Sequence, residues 1–341
     1  MTAASPQPRT GSKELADLWA QELSGLVCLR LSFILEARDP IRLPDYPGSA
    51  LRGVFGRALR RTACMVHAVR CEGCILKNSC VYSHVFETPV PQDSEMLRRY
   101  PKAPHPFALA PGAIPGGVIQ PGETFSVEMT LIGQRVVDAF PYFVAAVMRM
   151  GEMGVGGGYG SFAIRDVRVL DADGRERESL WDGKNLERPG TILGLEDLQH
   201  YATCFPHERM EIRFLTPFRF RYGEHLCDRP EFHILVRTLL RRVSSLYYFH
   251  MGRHPDLPYS DLIRLAEDVR ICDCDRKWYD WMRLSSRQNR LIPMGGILGS
   301  ATYEGDLTPF LPLLALGTWV HVGKGTSMGL GRISVGQIPV L

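Results

Sequence analysis

The run HVGKGTSMGLGRISV, from His321 to Val335, places Gly323, Gly325, Gly329 and Gly331 around one lysine, Lys324, and one arginine, Arg332, just before a strand-like segment. Glycines admit positive φ and close approach. Successive N–H groups can therefore converge on an anion, while Lys324 and Arg332 add positive potential. The run is a candidate polyanion cradle; a tight β-turn with glycines at crowded points accounts for the same residues. It is not a Walker loop, because no G-x-x-x-x-G-K-[ST] is present, and a Rossmann fingerprint needs a helix where a strand follows here.

A second chemistry-bearing group lies in ACMVHAVRCEGCILKNSCVY, where Cys64, Cys71, Cys74 and Cys80 offer four soft ligands on one short segment. That is the number a tetrahedral structural zinc requires. Disulfides are the rival, disfavoured where a reducing compartment keeps thiols free, and an iron–sulfur cluster would use the same ligands. Cys28, Cys204 and Cys227 are scattered, and Cys272 and Cys274 form only a C-x-C, read as structurally neutral. Among the histidines, His67 falls inside the cysteine cluster and His84 follows it. His233 and His250 lie on a long helical segment, and His321 adjoins the glycine loop.

The elements that position these residues repeat. Residues 151–167 read GEMGVGGGYGSFAIRDV, a glycine cluster running into an alternating strand as at the C-terminus, and each cluster follows a short apolar helical segment (RVVDAFPYFVAAVMRM; TPFLPLLALGTW). Two copies of one pattern point to two related domains. In the first half a strand over 26–37 precedes a helix over 47–69 that opens on a proline and a serine. A hairpin around PFALAPG and ETFSVEMTLIG, a helix from Arg135 and a strand from Ser161 follow. The second half reads as a strand over 208–222, a long helix over 229–251, two strands near RLIPMGGILGSATYEG, a short helix from Thr308 and a last strand. The order is βαββαβ twice, so the fold class is α+β, with tandem ferredoxin-like, RRM-like domains and a small metal-knuckle insertion. The expected boundaries are 20–170 with the cysteine insertion at 64–80, a charged linker at 171–206, and 207–341 with the glycine loop at 321–333; residues 255–286 read as an insertion in the second domain.

Composition permits two cores: 341 residues, 45% hydrophobic. No run of 18 apolar residues and no signal-peptide core are present, so no membrane partner is expected and the cytoplasm is the expected location. The net charge of +3 is no nucleic-acid signature by itself, although the cations are 34 arginines against six lysines, a bias that a GC-rich genome also produces.

Taken together, YPGSALRGVFGRALRR, the C-x6-C-x2-C-x5-C cluster leading into VYSHVFE, the PHPFAL segment, RQNRLIPMGGILGSATYEGDL and HVGKGTSMGLGR resemble the CRISPR-associated repeat-processing endoribonucleases of the RAMP superfamily. The resemblance spans about residue 26 to 337. It implies cleavage of precursor crRNA within each repeat without a catalytic metal. The 2′-hydroxyl beside the scissile phosphate attacks in line, leaving a 2′,3′-cyclic phosphate, and the products are mature guide RNAs. Such chemistry asks for a base, an acid and cationic stabilisation of the phosphorus centre. The family's histidine sits on or just after the first helix, which corresponds to His67; a metal-ligand role is the alternative for that residue. Gly323, Lys324, Gly325, Gly329, Gly331 and Arg332 would hold the RNA backbone, and Arg287 and Arg290 the repeat stem or its 3′ flank. Arg57, Arg60 and Arg61 extend a positive helix face or merely solvate it. No aromatic RNP signature is visible, so backbone and hairpin-shape recognition is expected over base stacking. The implied partners are the CRISPR repeat hairpin and other CRISPR effector subunits, and the implied cofactor is a structural zinc. The competing reading is a non-catalytic RAMP subunit that holds guide RNA in an effector complex; a zinc-stabilised scaffold without RNA is a third.

Overall fold

A computed structural model describes residues 15, 18–19, 21–67, 71–90, 94, 96, 103–112, 114, 117–222, 225–285 and 290–336. Strand β1 (Cys28–Ala37) alternates Leu29, Leu31, Phe33 and Leu35 onto one buried face. It pairs antiparallel on both sides, with β3 (Thr124–Ile132) and β4 (Phe162–Leu170). With β2 (Phe107–Pro111) and β5 (Glu176–Ser179) the order is β2-β3-β1-β4-β5. Helices α1 (Gly48–Ala63) and α2 (Phe140–Met153) pack over this sheet. Leu51, Phe55, Phe143 and Val147 join the strand side chains in one core.

The second unit repeats the plan. Helix α3 (Leu195–Thr203) leads into β6 (Arg209–Phe218), followed by α4 (Phe232–Leu246), α5 (Tyr259–Glu267), β7 (Arg270–Ser285), β8 (Arg290–Glu304), α6 (Leu311–Val320) and β9 (Ile333–Gly336). Its sheet order is β7-β8-β6-β9. In both sheets the first strand lies between the third and the fourth, which is the ferredoxin-like arrangement.

Three details differ from the sequence reading. The first helix ends at Ala63, and Cys64 is already extended, so His67 lies on the following loop with φ +51°. The charged segment 171–206 contains β5, whose neighbour Leu180 enters the first core, and α3, whose Leu198 enters the second. Residues 255–286 contain β7, the long partner of β8 in a hairpin registered from Arg270↔Glu304 to Ser285↔Arg290. RLIPMGGILGSATYEG is therefore one strand, not two, because its pairing partner precedes it in the chain.

Candidate RNA-binding cleft and the glycine loop

The glycine loop serves two purposes, divided at Gly325. Residues Thr326 to Gly331 are buried. They are clamped between the domains: the Tyr46 hydroxyl donates to the Met328 carbonyl at 2.9 Å, and the Thr216 hydroxyl donates to the Gly329 carbonyl at 2.6 Å. At Gly331, with φ +70°, a Cβ would stand 1.7 Å from the Val322 carbonyl oxygen, so glycine is required there for packing. Arg332 is turned to the first domain, its Nη2 donating to Glu128 Oε2 at 2.7 Å. Gly329 and Arg332 thus join the domains and Gly331 packs within the second, rather than opening a cradle to solvent.

The other half faces a cavity. Gly323, Lys324 and Gly325 line a cleft of about 650 Å³ between the domains, together with Arg219, Arg237, Arg241 and Arg242. Lys324 is exposed, and its backbone N–H is held by the Arg219 carbonyl at 3.2 Å. Arg237, Arg241 and Arg242 come from one face of α4, four and five residues apart, as helical geometry allows. Arg242 is buried, and its Nε and Nη2 donate to the Val320 carbonyl at 3.3 and 3.2 Å. Among the described residues no carboxylate forms a salt bridge with it, and burial brings its guanidinium down to about 10. A cleft with this many cations at close quarters suits a polyanion, whose charge offsets their mutual repulsion. These arginines were not singled out in the sequence; their spacing on α4 was visible, their convergence on Lys324 was not.

The histidines separate by surroundings. His67 is exposed and does not line the cleft. His105 lines the cleft, but its Nε2 stands 2.8 Å from Arg52 Nη2; the guanidinium can only donate, so this ring nitrogen accepts and its lone pair is occupied. His84 and His250 meet edge to face with centroids 5.4 Å apart. Burial, reinforced by Arg135, lowers His84 to about 4. Burial lowers His250 to about 3, opposed by its hydrogen bond to the Pro104 carbonyl and reinforced by His84 and Arg242. His321 is a buried core residue held well below the usual imidazole range by burial and by Arg332, Arg242 and Arg30. Arg290 is exposed at the start of β8, and Arg287 lies outside the described residues.

Cys64, Cys71, Cys74 and Cys80 are partly buried free thiols on one loop. The Cys71 thiol is pushed up by burial and by Glu87, with Arg60 opposing and Cys80 and Cys64 adding to the rise. The donor chemistry fits a thiophilic metal. The thiols are not drawn into a closed set, since among the described residues no group of three or more His, Cys, Asp or Glu side chains could hold a metal ion. Likewise, among those residues no helix is long and apolar enough to cross a membrane.

Two ferredoxin-like domains joined through a C-terminal glycine loop, with a cationic cleft along that loop, are the frame of the candidate site. Comparisons with known proteins find the same frame. Residues 212–333 match the family model of the CRISPR-associated endoribonuclease Cas6, and residues 26–191 match a model described as an N-terminal domain. The likeness to Cas6 therefore lies in the second ferredoxin-like domain. The Cas6 (TTHB231) product complex aligns over 91% of this chain and 99% of that one at 18% identity and TM-score 0.56. The Thermus thermophilus Cas6 (TTHB231) aligns over 92% and 100%, at 16% identity and TM-score 0.51. A partial Cas6-RT-Cas1–Cas2 complex aligns over 93% of this chain and 47% of that one, at 12% identity and TM-score 0.56. No curated protein sequence matches the chain.

Proposed function

We propose that this protein is a CRISPR repeat-processing endoribonuclease that cuts precursor crRNA by metal-independent attack of the 2′-hydroxyl, leaving a 2′,3′-cyclic phosphate. The observation that carries the RNA reading is the cleft in which Lys324 and the arginines of α4 line the exposed half of the glycine loop. Phosphates laid along it would be held by guanidinium forks and by the N–H groups near Gly323 and Gly325. Lys324, as a compact point charge, would stabilise the charge that builds on a phosphorus centre. His67 is the candidate acid or base, since its ring is exposed and the loop that carries it follows α1. The cysteine loop is proposed to close on a structural zinc that fixes this segment. Metal analysis of the purified protein, with one zinc per chain lost in Cys71→Ser and Cys74→Ser, is the test of that part. Repeat RNA and other CRISPR subunits are the proposed partners, and the cytoplasm the proposed location.

One observation favours a second reading, an RNA-holding subunit without catalysis: the histidine that lines the cleft, His105, has its lone pair occupied by Arg52. Labelled repeat RNA in EDTA, with and without a 2′-deoxy substitution at the scissile position, decides between the two. Cleavage of the ribose strand alone, giving cyclic ends and falling roughly 10²–10⁴-fold in His67→Ala with binding retained, is the expected result. Tight binding with no cleavage by the wild type would establish the holding subunit instead.

A further inference from the structure

A second cavity, of about 610 Å³, lies where three distant segments meet. Its walls are the approach to α1 and its first turns (Asp45, Tyr46, Ser49, Gly53, Arg57), the glycine loop of the first domain (Gly156, Gly157, Tyr159) and the stretch of β7 from Tyr279 through Asp280 and Trp281 to Arg283. Along it Tyr279, Trp281 and Arg283 are half-buried, while Met282, also on the lining, is 55% exposed. Tyr46 and Trp281 form a tilted pair with ring centroids 4.8 Å apart. Tyr159 stands at the rim, 71% exposed, on a backbone with φ +55° that a bulky side chain seldom adopts. Two donors on the β7 face, Trp281 Nε1 and Arg283 Nε, are buried with no hydrogen-bond partner among the described residues.

Flat aromatic faces and flanking guanidiniums in a pocket of this volume match the chemistry of one nucleotide. The base would stack, and the phosphate would meet Arg57 or Arg283. We propose that this cavity receives an unpaired base of the RNA bound by the protein, a base-reading site separate from the cationic cleft. The proposal rests on the RNA reading above, and it departs from the sequence expectation that stacking plays little part. The three ring-bearing segments are far apart in the chain, and only the fold brings Tyr159 and Trp281 to one cavity.

Gly53 supplies an internal control. A Cβ at this position meets nothing within 4 Å, so a large side chain would enter the cavity rather than strike backbone. The experiment uses repeat RNA carrying 2-aminopurine at one unpaired position at a time, with binding followed separately by anisotropy. The expected result is that one position changes its fluorescence on binding to the wild type and to Tyr159→Phe. The change should vanish in both Tyr159→Ala and Gly53→Phe, with affinity in Tyr159→Ala reduced about tenfold, the scale of one lost stack. RNA that binds with no responsive position, or a response that survives both Tyr159→Ala and Gly53→Phe, overturns the proposal while leaving the RNA reading intact. RNA that fails to bind the wild type overturns both together.

Discussion

Two glycines on α1 should respond in opposite directions to the same substitution. Gly48 is the first residue of the helix, and a Cβ there would lie 1.9 Å from the Met328 carbonyl oxygen and 3.0 Å from the Tyr46 ring. Met328 is not free to withdraw, because its carbonyl accepts the Tyr46 hydroxyl and the N–H groups of Met328, Gly329 and Leu330 bond back to Gly325 and Thr326. Relief requires a backbone shift of more than about 1 Å at the domain junction, and overpacking of this kind costs typically about 1–3 kcal/mol. The helix-propensity gain of alanine over glycine is about 0.5–1 kcal/mol in a helix interior and smaller at a first turn, so the clash dominates. Gly53 lies inside the same helix with open space around it, and there the propensity gain stands alone. Thermal unfolding is the assay; for domains of this size about 1 kcal/mol moves Tm by roughly 2–4 °C. Gly48→Ala should lower Tm by several degrees, and Gly53→Ala should raise it by about 1–3 °C. A Gly48→Ala protein as stable as the wild type would refute the apposition of α1 on the glycine loop, and with it the account of why the loop is half buried.

Three further outcomes follow from the same geometry. Lys324→Ala should weaken RNA binding and reduce the slope of log K against log salt by about one, whereas Arg332→Ala should lower Tm and leave that slope unchanged, since Arg332 is committed to Glu128. Arg241→Ala should likewise reduce the slope by about one, because Arg241 lines the cleft beside Lys324. Acid should destabilise the fold through His84 and His250, whose imidazoles titrate near 4 and 3 when folded against 6.5 when free. The unfolded chain then takes up protons that the folded one refuses, so their contribution is complete above about pH 6.5 and is lost as pH falls toward 4 and 3. Denaturation midpoints at pH 7 and pH 5 should differ, and His250→Gln, which can keep the Pro104 hydrogen bond, should narrow the difference.

The sequence by itself determined the repeated βαββαβ plan and its core. Local signals suffice there: the alternation of Leu29, Leu31, Phe33 and Leu35 specifies one buried strand face, and the helical spacing of Leu51, Val54, Phe55 and Leu59 one helix face. It also singled out Lys324 and its neighbouring glycines, because glycine density is a local property. It misread β7, where charges on both faces of a hairpin resemble an inserted loop, and it could not divide the glycine loop into an exposed half and a buried half. That division depends on Tyr46 and Glu128, which reach Met328 and Arg332 only after the two domains dock, and on Thr216, which reaches Gly329 once the second sheet has formed. Both cavities have the same origin. Arg219, the α4 arginines and Lys324 in one, and Tyr46, Tyr159 and Trp281 in the other, come from separate segments, and no periodicity along a chain encodes which surfaces will face each other. Strand and helix faces are set by neighbours two to four residues away; a binding site is set by packing between elements, and only the tertiary structure decides it.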